Sequence, residues 1–313
     1  SSQSRGLGDV YKRQILTILL LAIGCDDDKN DLFNEKINNS EALIEYGIGE
    51  FSFTGLKFFE NKPLTIYTFA PDSNLKDLRV VFVMHGNNRN GKEYCFEWVK
   101  TAQNHKFLLL CPNFDELNYP GSENYQLGGM WLDNAFVDSS QWTYNFIDSI
   151  HQFLLESSYI NNSKYAIYGH SAGAQFVHRY AEFIRPLSAE IIVSANAGWY
   201  TRIDTTEQYP YGLKNAPIKT YGIKDVLNLP VTILLGELDI NPNASSLRKT
   251  EEAMRQGKHR FERGNFFYNE AKEFAESKNW QFNWRLETVP NVGHSNLGMA
   301  ETAGLLIHNA FNQ

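Results

Sequence analysis

The chain has 313 residues, of which 42% are hydrophobic and 14% aromatic, enough to bury a large core within one α/β domain. Its net charge of −7 argues against a nucleic-acid partner, because binding a phosphate backbone requires a basic surface.

Lys12 and Arg13 precede the apolar run Ile15–Ile23, broken only by Thr17, which has the length of a signal-peptide core and is too short to span a bilayer. Residues 1–14 read as non-native sequence, and residues 1–24 together as that leader plus a signal peptide. The run ends Ala22-Ile23-Gly24-Cys25, which resembles a bacterial lipobox whose cysteine takes the lipid. Residues 25–48, opening on Asp26-Asp27-Asp28, then read as a lipidated polar tether. The expected localisation is export with a lipid anchor on a bacterial membrane, at the cell surface or in the periplasm. Residues 49–313 are left for the folded domain.

Within that domain, Phe51–Glu60 and Leu64–Ala70 are predicted strands around an Asn61-Lys62-Pro63 turn. Arg79–Met84 is a continuous apolar run, as in a strand buried on both faces. Lys92–His105 is predicted helix, and Phe107–Cys111 is a strand closed by Pro112. Asn113–Asp133 is predicted as a loop bordering the site, followed by a helix over Gln141–Ser157. Further strands are expected at Tyr165–Tyr168, Glu190–Ser194, Val231–Gly236 and Trp280–Val289, with helix over 244–278 broken near Gly257. Thr201–Asn228 has little periodicity and reads as a cap or rim over a pocket. Cys95 and Cys111 fall at neighbouring ends of a strand-helix-strand unit, either as a disulfide or as two separate buried thiols.

The chemistry concentrates on Gly169-His170-Ser171-Ala172-Gly173, which lies between a strand pattern and an amphipathic helix pattern. In that context G-x-S-x-G is a nucleophile elbow: the serine takes a strained backbone conformation, and the glycines remove side chains that would clash. Acyl transfer through Ser171 also needs two N–H donors at the developing oxyanion, here the backbone amides of Ala172 and of Asn87 in the loop His85–Gly91. Asp239, just past the strand Val231–Gly236, is the candidate acid, with Glu237 as the alternative. His294, on the loop after the last strand, is the candidate base, and the order Ser, Asp, His is that of α/β-hydrolases. Trp199 and Tyr200 are pocket-wall candidates at a strand's carboxyl end. Arg255, His259, Arg260 and Arg263 read as a solvated face or loop anchors, or alternatively as a substrate-carboxylate site.

Over roughly residues 50–313, the loop HGNNRNG, the elbow GHSAG, GELD and VGHS resemble the α/β-hydrolase superfamily. HGNNRNGKEY, GHSAGAQFVHRY and ANAGWYT are similar to its poly(3-hydroxybutyrate) depolymerase-like esterases, a group that includes feruloyl and acetylxylan esterases. The resemblance implies an α/β-hydrolase fold, a mostly parallel sheet of about eight strands with helices on both faces. It further implies a triad of Ser171, Asp239 and His294 and no cofactor or metal. The function expected is hydrolysis of a short-chain, phenolic or polyhydroxyalkanoate-type ester, small or polymer-linked. A serine peptidase of the prolyl oligopeptidase type and a non-catalytic binding lipoprotein are the alternatives.

Overall fold

In the computed structural model, residues 43–218 and 220–313 are described. Cys25, the signal segment and most of the tether lie outside them. Eight strands form one sheet: β1 (Gly47–Phe53), β2 (Leu64–Ala70), β3 (Arg79–Met84), β4 (Phe107–Asn113), β7 (Tyr165–His170), β8 (Ala189–Ala195), β9 (Val231–Gly236) and β10 (Arg285–Val289). Their order is β1-β2-β4-β3-β7-β8-β9-β10; β2 runs antiparallel to β1 and β4, and all other pairs are parallel. A short separate hairpin pairs β5 (Trp131–Leu132) with β6 (Ala135–Phe136).

The sequence pattern tracks position in this sheet. All residues of β7 and β9 are buried, and β3 is buried after Arg79, as strands covered on both faces must be. The edge strand β1 mixes exposed and buried positions instead. On one face Trp98 and Ala102 of α1 (Gly91–His105) join Met299, Ala303 and Ile307 of α7 (Asn296–Phe311). The opposite face carries α2 (Asn145–Glu156), α3 (Ala172–Ile184), α4 (Thr220–Leu227), α5 (Glu251–Gln256) and α6 (Arg260–Ser277), and its core includes Ile147, Phe176, Val226 and Phe267. Among the described residues no helix is long and apolar enough to cross a membrane.

Four local expectations change. The first strand covers Gly47–Phe53 rather than Phe51–Glu60; Lys57–Phe59 is a 3-10 turn, which buries Phe59 without extending the strand. β4 runs on through Pro112, because β3 pairs only as far as Leu110 and the remaining residues pair with β2, where Pro112 faces Ile66. The rim segment 201–228 ends in helix α4, and only Arg285–Val289 of the last predicted strand pairs with β9. Cys95 and Cys111 are free, buried thiols; burial, then a hydrogen bond to Cys95, pushes the Cys111 thiol up.

Candidate active site

Every candidate catalytic group leaves the carboxyl end of a strand. β7 runs straight into α3 through Ser171, whose φ of 59° and ψ of −111° place a non-glycine residue in a strained conformation. Two close approaches allow that turn. A Cβ at Gly169 would collide with the backbone of Gly173, and one at Gly173 with the carbonyl of Met84 at the end of β3. Both glycines are therefore required by packing, and the elbow is pressed against the strand that leads into the loop His85–Gly91.

The structure brings the three candidate side chains together. His294 Nε2 lies 3.0 Å from Ser171 Oγ, and His294 Nδ1 lies 2.6 Å from Asp239 Oδ2. Asp239 is 3% exposed, so its charge is little screened by water. Glu237 points elsewhere: it is exposed and accepts a hydrogen bond from Thr288 Oγ1 at 2.9 Å. Asn196, at φ 50°, ties the surrounding loops, accepting from Gly236 N at 2.8 Å and donating to Gly293 O at 3.3 Å. It thus holds the end of β9 and the His294 loop to the end of β8.

Beside the elbow, His170 is buried with its ring centroid 4.5 Å from that of His294. Burial, and then the neighbouring His294 and Arg260, push its pKa well below the usual histidine range, so it remains neutral. Its Nδ1 meets Tyr94 Oη at 3.0 Å, and a Cβ at Gly86 would stand 2.5 Å from that same hydroxyl. Tyr94 therefore sits between the loop His85–Gly91 and the ring flanking His294.

Among the described residues, neither the amide of Asn87 in that loop nor that of Ala172 at the start of α3 donates to a protein acceptor. Gln126 Nε2 donates to Asn87 Oδ1 at 3.2 Å. His85 braces the loop: Nε2 accepts from Phe114 N at 3.0 Å, Nδ1 donates to Gly86 O at 2.8 Å, and burial lowers its pKa to about 3. Arg89 reaches out of the same loop to donate to Phe114 O at 2.6 Å and Gly121 O at 2.7 Å. Among the described residues no group of three or more His, Cys, Asp or Glu side chains is gathered as a metal site.

Solved structures of known proteins match this architecture. Poly(aspartic acid) hydrolase-1 from Sphingomonas sp. KT-1 superposes with a TM-score of 0.81 at 38% identity, over 84% of this chain and 99% of that one. This chain belongs to the α/β-hydrolase superfamily. A poly(3-hydroxybutyrate) depolymerase from Bordetella parapertussis matches with a TM-score of 0.79 at 29% identity, over 83% of this chain and 88% of that one. A ferulic acid esterase at 12% identity and a TM-score of 0.53, over 85% and 98% of the two chains, shares the fold alone. A scan of family models and a search of curated proteins give no match. The chain is a hydrolase.

In this hydrolase the predicted pocket wall needs correction. Tyr200 is fully buried, stacked on Phe267 with centroids 4.4 Å apart, so it is core and offers no surface to a ligand. Trp199 is 5% exposed, with the guanidinium of Arg179 4.2 Å and that of Arg248 5.3 Å from its ring centroid. The basic cluster also divides. Arg263 is buried and donates to the carbonyls of Gly257, Gly198 and Arg248, making it a loop anchor, and burial lowers its pKa to about 10. Arg260 is buried against Asp239, while Arg255 is exposed and pairs with Glu207.

Sequence does not mark Asn196, His170, Tyr94, Arg89 or Arg179 as site residues, and it marks Arg260 only as one member of the basic cluster. His170, inside the elbow motif, and Arg89, inside HGNNRNG, were the two with a local signal. The others act through contacts across long sequence separations.

Proposed function

We propose that this chain is an exported serine carboxylic-ester hydrolase working through an acyl-enzyme, with Ser171 as nucleophile, His294 as base and Asp239 as its orienting acid. The observation that carries the reading is the continuous line from Ser171 Oγ through the imidazole to Asp239 Oδ2, at 3.0 and 2.6 Å. As Oγ attacks the ester carbonyl, His294 Nε2 takes its proton and Asp239 stabilises the imidazolium. The carbonyl oxygen gains charge between the amides of Asn87 and Ala172, each worth about 3–4 kcal/mol to the transition state in comparable sites. His294 then protonates the leaving alcohol, and water repeats the sequence to release the acid. Export rests on the apolar run before Cys25 and the lipobox-like residues there.

A short-chain, phenolic or polyhydroxyalkanoate ester fits the likeness to the poly(3-hydroxybutyrate) depolymerase. A second reading, hydrolysis of an acidic polymer, is favoured by the relative named for poly(aspartic acid) and by Arg248. Arg248 is exposed beside Trp199, its Nε donating to Tyr211 Oη at 2.6 Å, which leaves the outer guanidinium nitrogens for a carboxylate.

One panel tests both: p-nitrophenyl butyrate, feruloyl, acetylxylan and hydroxybutyrate esters, and poly(aspartic acid), each with wild type, Ser171→Ala and Arg248→Ala. Ser171→Ala is expected to lose at least about 10⁴-fold in kcat on every substrate that is turned over. Retained turnover would remove the serine mechanism. A rise in KM for poly(aspartic acid) alone in Arg248→Ala selects the second reading, and activity confined to esters selects the first.

A further inference from the structure

Asp239 has a second partner besides His294. Arg260, the first residue of α6, is 2% exposed, and its Nη1 lies 3.5 Å from Asp239 Oδ1 while Oδ2 faces the imidazole. Its Nη2 donates to Ser246 Oγ at 2.9 Å, and its Nε has no partner among the described residues. A guanidinium this deeply buried needs an anion beside it, and Asp239 is the carboxylate in contact. The backbone closes the same junction, because Phe261 N donates to Asp239 O at 3.2 Å.

We propose that Arg260 is a positioning residue for hydrolysis: it engages one carboxylate oxygen of Asp239 so that the other faces His294, and its charge opposes charging of the imidazole. This rests on the triad reading above. Two effects follow from one contact. Asp239 is held in a single orientation, and the field it presents to His294 is partly offset by a cation on its far side.

The other groups around His294 do not supply that cation. Ser171 and His170 come from the β7–α3 elbow, and His170 is neutral. Tyr94 of α1 stands behind His170, and Glu97 of α1 accepts from Asn296, two residues beyond His294. Arg263, one turn along α6, spends its donors on three backbone carbonyls.

The test is the pH dependence of kcat/KM for p-nitrophenyl acetate in wild type, Arg260→Lys, Arg260→Met and Ser246→Ala, with thermal melts on each. Arg260→Met is expected to lower kcat by about tenfold and to move the acid limb of the profile up by about one pH unit, because the imidazolium loses its opposing charge. Arg260→Lys keeps the limb near its wild-type place, and Ser246→Ala, which loosens the guanidinium, moves it slightly upward. A folded Met variant with an unmoved limb overturns the proposal, as does an equal shift in Lys and Met. Should Met not fold, Arg260→Gln and Ser246→Ala carry the measurement, and unmoved limbs in both overturn it. Ser171→Ala run alongside separates the two readings. Activity surviving there removes the triad itself, whereas serine dependence with unmoved limbs removes only the role of Arg260.

Discussion

The ends of β3, β7, β8 and β9 and the rim formed by residues 113–144 and 197–218 are built on different principles. At the strand ends, position comes from the backbone: a strained Ser171, glycines at 169 and 173 that admit no Cβ, and Asn196 tying three adjacent strand ends. In the rim, position comes from one half-buried and one fully buried arginine that collect carbonyls. Arg89 holds Phe114 and Gly121, and Arg179 holds Gln126 and Gln175 together with the hydroxyl of Thr201. The first kind of construction fixes atoms to a fraction of an ångström, as bond-making requires. The second fixes loops through long side chains that reach their backbone carbonyls.

The comparison breaks most visibly at Gly173. A methyl there meets the carbonyls of Met84 and His85, the residues immediately before Gly86 and Asn87. Gly173→Ala should therefore push the elbow and the loop His85–Gly91 apart, losing about 10²-fold or more in kcat and about 3 kcal/mol of stability. Steady-state kinetics and thermal melts read both. Wild-type turnover in that variant would mean the strand-end wall is looser than its packing indicates.

Arg179→Met probes the opposite construction. It removes three hydrogen bonds from a fully buried site and leaves the carbonyls of Gln126 and Gln175 short of a donor, but touches neither Ser171 nor His294. The expected cost is about 2–4 kcal/mol, a fall in Tm of roughly 5–10 °C, with kcat on a small ester changed only a few-fold. A loss of kcat as large as that of Gly173→Ala would show the rim to be part of the chemistry.

The same contrast explains what could be read from sequence. Strand ends are legible because period and motif are local: VTILLG followed by Glu237-Leu238-Asp239 announces a buried strand with a carboxylate at its top, and β2, β3 and β9 fall where their apolar runs lie. Which of Glu237 and Asp239 faces His294 was not local, since it depends on the pairing of Glu237 with Thr288 across β10. Tyr200 was misread because a strand-end aromatic can turn toward solvent or toward Phe267, and α6, some sixty residues later, decides between them. Arg179 carries no sequence signal, and Arg260 shows only as part of a basic cluster whose contact with Asp239 is not legible. An arginine on a helix reads as surface until its buried partner is known.

The smallest expected effect lies beneath the rim, on α3. Glu182 is fully buried on α3, and neither carboxylate oxygen has a partner among the described residues. Burial pushes its pKa well above the usual carboxylate range, with Arg179 pulling the other way and not prevailing. Between the unfolded carboxyl pKa and the raised folded one, the native state keeps a proton that the unfolded chain has released, so stability falls as pH rises through that window. Glu182→Gln presents the same shape without the titration. Its Tm should match wild type in acid and exceed it by a margin that grows as pH rises, with kcat unchanged because the residue lies about three turns along α3 from Ser171. A Gln variant that is less stable than wild type at pH 8 would mean that Glu182 is ionised and paired with Arg179. The rim would then be held by an internal charge pair as well as by carbonyls.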